Sequence, residues 1–133
     1  EYQRGQGNIL VMDDDEIVLS LVADLLGHLG YTASQAKNGE EAIEMYTAAM
    51  RRGKPFDAVI LDLTIRGGMG GKEAVREIRK IDPGVKAIVS SGYSQDPVMA
   101  SFAEHGFSAV VAKPYRGEML ASTLKSLLNG VAK

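Results

Sequence analysis

The sequence predicts an α/β domain in which five parallel strands, ordered 2-1-3-4-5, are doubly wound with five helices. Three observations carry that prediction. Short, wholly apolar runs recur along the chain, and most end abruptly in polar residues. Behind each lies a segment whose apolar residues repeat at helical spacing. The alternation is strict, and strands apolar on both faces belong to a parallel sheet covered by helices above and below. Right-handed crossovers and short connections then leave few topologies, of which 2-1-3-4-5 leads. With 133 residues the chain is counted as one domain.

The first strand is Ile9-Leu10-Val11-Met12, stopped by Asp13, Asp14 and Asp15. Val18, Leu21, Val22, Leu25 and Leu29 follow at the spacing of one helical face, and Gly30 ends them. Residues 32–36 form a weaker run, read as an edge strand, before a helix marked by Ala42, Ile43, Tyr46 and Ala49 that ends near Gly53. Ala58-Val59-Ile60-Leu61 is the third strand, terminated by Asp62. A glycine-rich loop, residues 67–71, leads to a helix carrying Ala74, Val75, Ile78 and Ile81, closed by Asp82-Pro83-Gly84. The fourth strand, Ala87-Ile88-Val89, runs into Ser90-Ser91-Gly92, and a short helix follows with Val98, Met99, Phe102 and Ala103. Ala109-Val110-Val111-Ala112 ends in Lys113-Pro114, and Leu120, Leu124, Leu127 and Leu128 mark the last helix. The polar residues 1–7 read as a linker remnant, which leaves 8–130 as the folded domain and suggests a piece of a longer polypeptide.

Composition removes several function classes. Fifteen basic and seventeen acidic side chains give a net charge of -2, without the clustered positive surface that non-specific nucleic-acid binding requires. No nucleic-acid contact is therefore expected. The absence of cysteine excludes a disulfide framework, a thiolate nucleophile and thiolate-bound zinc, and fits a reducing compartment. No apolar run is long enough to span a bilayer, so no membrane contact is expected of this domain.

In a doubly wound sheet, ligands gather beyond the carboxyl ends of the strands where strand order reverses, here between the first and third. Asp13, Asp14 and Asp15 stand at the first strand end, Asp62 at the third, Ser90 and Ser91 at the fourth and Lys113 at the fifth. Two carboxylates a few ångströms apart repel by about 3 to 4 kcal/mol at an effective dielectric of about 20. A hard divalent cation would offset this, and oxygen-only ligands favour Mg²⁺ over zinc. A hydroxyl and an ammonium facing the acids suit the oxygens of a phosphoryl group.

The ordered motifs ILVMDDDE, AVILDLT, VSSGY and AKP resemble those of the receiver domains of two-component response regulators, from about Asn8 to Asn129. The longer strings DLTIRGGMGGKEA and IVSSGYSQDPVMA are most similar to the receivers of hybrid sensor histidine kinases. The resemblance implies a flavodoxin-like receiver fold acting in a phosphorelay. Asp62 would be the phosphoacceptor, taking the phosphoryl group from a phosphohistidine. Asp14 would hold Mg²⁺ directly and Asp13 largely through water, with Asp62 and the backbone carbonyl of Thr64 completing the set. Ser91 and Lys113 would contact the phosphoryl oxygens, and the Lys113-Pro114 bond would be cis. The implied partner is a histidine kinase core or a histidine phosphotransfer domain. The implied location is cytoplasmic, including the cytoplasmic part of a membrane-bound sensor kinase.

The likeness departs at three places. Arg66 stands where receivers usually carry proline, which implies a looser or charge-reading loop. Val110 occupies the place of an aromatic switch residue, so output would lean on Ser91 and residues 92–97. Thr64 and Tyr93 sit where other receivers tune water attack, and neither is an acid or amide, which implies a long-lived phosphoryl group.

Each residue also has a plainer reading. Asp13 through Glu16 can be a helix cap, Asp62 a strand-end turn, and Ser90-Ser91-Gly92 a loop. The glycine cluster lacks the lysine of a P-loop and reads as flexible loop, His28 and His105 as solvated, and the methionines as core filler. Two rival functions compete. One is a haloacid-dehalogenase-like phosphatase with Asp13 as nucleophile and Asp15 as acid; the other is a degenerate, non-phosphorylated binding module.

Overall fold

The computed structural model describes residues 6–92 and 96–128. Its elements run β1 (Gly7–Met12), α1 (Glu16–His28), β2 (Tyr31–Ala36), α2 (Gly39–Arg51), β3 (Ala58–Asp62), α3 (Gly71–Ile81), β4 (Ala87–Ser91), α4 (Pro97–Ala100), β5 (Ala109–Ala112) and α5 (Gly117–Leu128), with a 3-10 helix at Phe102–His105. The strands form one parallel sheet ordered β2-β1-β3-β4-β5, as the alternation predicts. β1 starts at Gly7, so pairing with Tyr31 of β2 already includes the last residue of the segment read as linker.

The continuous apolar runs divide between two cores because successive side chains on a strand face opposite ways. Leu10, Met12, Val59, Leu61, Ala87 and Val89 pack with Ala42 and Tyr46 of α2 and Ala74, Val75 and Ile78 of α3. Ile9, Val11, Ala58, Ile60 and Ile88 pack with Leu19, Val22 and Leu26 of α1 and Leu120 and Leu124 of α5. Tyr46, fully buried, donates its hydroxyl to Asp82 Oδ2 at 2.6 Å, tying α2 to the end of α3. Burial first, then the Asp82 bond and charge, hold that hydroxyl well above the usual tyrosine range.

Three expectations need correction. The fourth helical segment is broken: Ser101 is non-helical and returns its hydroxyl to the carbonyl of Pro97, and a 3-10 turn follows, closed by left-handed Gly106. Ser90 and Ser91 belong to β4 rather than to the loop beyond it, paired with Val111 and Ala112. Not every methionine fills the core, since Met50 and Met119 are exposed on their helices.

Among the described residues, no helix is long and apolar enough to cross a membrane.

Candidate functional site

The site starts from the way β1 ends. Asp13 still donates its N–H to Ala36 of β2, which keeps its backbone in the ladder and carries its side chain below the surface, fully buried. Its Oδ1 accepts the N–H of Asp15. The Asp15 carboxylate in turn caps α1, accepting from Ile17 and Val18, so the plainer cap reading holds for this residue. Asp14, between them, is exposed, and its Oδ2 accepts the N–H of Arg66 at 3.1 Å.

β3 delivers Asp62 beside them. The register pairs Met12 with Leu61, which places Asp13 opposite Asp62 one step further, and Asp62 itself pairs with Ser90. One carboxylate oxygen from each of Asp13, Asp14 and Asp62 lies within 4.8 Å of the others. At that spacing each ionised pair repels by about 3 kcal/mol at an effective dielectric of about 20. Lys113, just past β5, counters part of this. Its Nζ lies 2.6 Å from Asp13 Oδ2 and 3.2 Å from Asp62 Oδ1. Asp13 Oδ2 is fully buried, and this ammonium is the contact that balances it.

Electrostatics follow from burial and from these neighbours. Burial, then the charge of Asp13, with a smaller push from Asp14, raise Asp62 to about 6 although Lys113 pulls it down. Burial would lower Lys113, yet its bond to Asp13 and the charges of Asp62 and Asp13 outweigh it and the ammonium is held above its usual range. The cleft around them has a volume of about 620 Å³ and is lined by Asp13, Asp14, Asp15, Glu16 and Asp62 against two cations, Arg66 and Lys113. Thr64, Ser91 and Gly92 complete its wall.

All the expected site residues thus meet at one edge: Asp13, Asp14, Asp62, Thr64, Ser91 and Lys113 line a single cleft. The Lys113-Pro114 bond is cis. Val110, where the resemblance implies an aromatic residue, is a half-buried aliphatic side chain packed on the core that also holds Val98, Met99 and Phe107. Tyr93, and with it part of residues 92–97, lies outside the described residues. His28 is exposed at the end of α1, whereas His105 is half-buried rather than solvated.

The glycine cluster is not loose. A Cβ at Gly70 would stand 2.5 Å from the carbonyl oxygen of Leu63, and one at Gly71 would stand 2.8 Å from that of Asp62. Close approach of α3 to the backbone behind Asp62, not flexibility, therefore excludes side chains there.

Two contacts escaped the sequence reading. Ser90, fully buried, shares a 2.7 Å hydrogen bond with the hydroxyl of Tyr115, two residues beyond Lys113. The only sequence signal was a tyrosine just after Lys113-Pro114. The N–H of Arg66 on Asp14 carries no sequence signal, because any residue but proline could supply it.

The phosphatase alternative fits poorly. Asp13 is fully buried, with Oδ1 accepting the Asp15 N–H and Oδ2 paired with the Lys113 ammonium, and Asp15 is committed to its helix.

A family model described as response regulator receiver domain matches residues 9–125. The chain is 32% identical over 120 residues to the chemotaxis protein CheY of Thermotoga maritima, covering 90% of this chain and 95% of that protein. It is 30% identical over 124 residues to the sensor kinase CckA of Brucella abortus, covering 93% of this chain but 13% of that one. A crystal structure of a LuxR-family two-component response regulator from Aurantimonas superposes with a TM-score of 0.81 at 29% identity, covering 95% of this chain and 87% of its own.

Proposed function

The chain belongs to the response regulator receiver domain family and so serves two-component signalling; from that premise we propose that Asp62 is its phosphoacceptor. The observation that carries the proposal is the pairing of Asp62 with a buried acid and a half-buried ammonium at the mouth of a polar cleft. A carboxylate oxygen of Asp62 attacks the phosphorus of a phosphohistidine. The P–N bond breaks, its electron pair leaves with the imidazole, and an acyl phosphate remains on Asp62. Lys113, already 3.2 Å from Asp62, pairs with a phosphoryl oxygen, and Ser91 donates its hydroxyl to another. Such a reaction is mostly positioning and charge neutralisation, and no general base is required.

The acid cluster fits Mg²⁺. Three carboxylate oxygens within 4.8 Å, from two buried acids and one exposed, form an oxygen-only set with more negative charge than one ammonium offsets. Asp13, Asp14, Asp62 and the carbonyl of Thr64 would hold the ion. When bound it would neutralise charge on the transferring phosphoryl group.

The donor is a histidine kinase core or a histidine phosphotransfer domain, and the compartment is the cytoplasm. The match to a small part of a sensor kinase supports this receiver as one module of a hybrid kinase. The long-lived phosphoryl group expected from Thr64 belongs to the same proposal.

Incubation with a small phosphodonor and Mg²⁺ tests it. Label should appear on the wild-type protein, be lost with EDTA, and be absent from Asp62→Asn. Label that survives in Asp62→Asn, or turnover that depends on Asp13 alone, overturns the assignment.

A further inference from the structure

We infer that the backbone N–H of Arg66 is a positioning group for Asp14, and that it raises the affinity of the acid cluster for a divalent cation. The inference rests on the magnesium reading above and deepens it. Asp13 and Asp62 are fixed by burial, but Asp14 is exposed. An exposed carboxylate on a surface loop samples several rotamers, and fixing one on binding has an entropic cost. The Arg66 N–H, 3.1 Å from Asp14 Oδ2, removes part of that cost beforehand. It engages one oxygen of Asp14, and the carboxylate keeps further lone pairs for a cation.

The bond spans 52 residues and joins two loops, the β1–α1 loop that carries Asp14 and the β3–α3 loop that carries Thr64. Both loops contribute to the proposed ligand set, so this bond couples them beyond the β1–β3 pairing. The second loop is itself anchored, since Gly39 donates its N–H to the carbonyl of Met69 at 2.7 Å, and Met69 donates its own to Glu40 Oε1 at 3.1 Å. Asp14 is therefore tied to a segment that is held in place. The guanidinium has a separate and opposite influence, because a cation lining the cleft repels Mg²⁺.

Two substitutions separate these effects. Arg66→Ala removes the charge and keeps the N–H; Arg66→Pro removes both. Calorimetric titration with Mg²⁺ should show Arg66→Ala binding at least as tightly as wild type, and Arg66→Pro weaker than Arg66→Ala by about 2- to 10-fold, the range expected for one immobilised side chain. Equal affinities in the two variants overturn the inference while leaving the magnesium reading intact. Failure of the wild type to bind Mg²⁺ at all removes both. A metal-free readout guards against loop distortion by proline: the amide proton resonance of Arg66 should move upfield in Asp14→Asn, and an unmoved resonance counts against the bond. Replacing residue 66 by the α-hydroxy acid of alanine deletes the N–H without the proline ring, and must reproduce the weaker binding.

Discussion

Two halves of the strand-end region, the acidic cleft and the buried contact beside it, are built on different physics. At the ends of β1 and β3, Asp13, Asp14 and Asp62 crowd like charges together with a single ammonium in contact. At the end of β4, beside the loop that follows β5, Ser90 and Tyr115 satisfy one another through a buried hydrogen bond between neutral hydroxyls. Asp62 and Ser90 are paired in the sheet register, so the contrast develops between adjacent strands. An electrostatically unsatisfied half responds to any charge brought near it. A neutral, paired half holds its shape and responds little. The structure thus sets a charge-sensitive cleft beside a neutral, buried contact that does not line it.

Lys113 bridges the contrast, and removing it gives the largest effect on stability. Lys113→Met keeps most of the side-chain volume but leaves the carboxylates of Asp13 and Asp62 without the ammonium. Breaking a buried ion pair in this way costs about 3 to 5 kcal/mol, with the lower end appropriate because the lysine is partly exposed. Urea unfolding at pH 7.5 should show that loss in EDTA, and Mg²⁺ should return part of it by replacing the missing cation. A loss below about 1 kcal/mol would mean that the acids are compensated by something other than Lys113.

Removing an acid from the same cluster should act with the opposite sign. Burial and the neighbouring acids raise Asp62 to about 6 in the folded protein from 3.8. The folded state therefore holds a proton that the unfolded state has released, and wild-type stability falls as pH rises through that window. Two units correspond to about 3 kcal/mol, a net figure that already includes the attraction of Lys113 and is reduced by the imperfect match of an amide to a protonated carboxyl. Asp62→Asn should accordingly be more stable than wild type by about 2 kcal/mol above pH 6 in EDTA, with the advantage gone near pH 4. Denaturation midpoints across pH 4 to 8 measure it; an advantage that does not change with pH would place its origin outside the Asp62 carboxyl.

The strands were readable because their apolar runs need no alternation when helices cover both faces, and because the runs at β1 and β3 meet an aspartate at their carboxyl ends. Asp13, Asp14, Asp62 and Lys113 could be placed at one edge for that reason alone. The failures share a cause, which is that they depend on what lies across the sheet. Ser90 and Ser91 look like loop residues in isolation and become strand only through pairing with their neighbours, Ser90 with β3 and both with β5. Gly70 and Gly71 look flexible until the carbonyls of Leu63 and Asp62 are seen against them. The bond from Tyr115 to Ser90 crosses 25 residues and that from Arg66 to Asp14 crosses 52, distances over which no local periodicity operates. The break between α4 and the 3-10 turn has a local cause in Ser101, but only the geometry shows that its hydroxyl turns back onto Pro97.

The neutral half should give the smallest effect and the one least dependent on the metal. Tyr115→Phe preserves the ring and removes only the hydroxyl, leaving Ser90 Oγ buried without that partner. An unsatisfied buried hydroxyl costs about 1 to 3 kcal/mol, and a loss of about 1 to 2 kcal/mol at pH 7 is expected because the serine rotor can turn. That deficit should be the same in Mg²⁺ and in EDTA, whereas the deficit of Lys113→Met should shrink when Mg²⁺ is added. It should also change in alkali. Burial chiefly, with Asp13 and Asp62 adding to it, raises the Tyr115 hydroxyl to about 12 against the opposing pull of Ser90 and Lys113. The unfolded chain ionises first, near 10, so wild-type stability falls between the two values and the phenylalanine variant escapes that fall. The deficit should therefore narrow above pH 10. A deficit that instead tracks Mg²⁺ would show that the hydrogen-bonded pair is coupled to the acid cluster, and the division into a responsive cleft and an inert neighbour would fail.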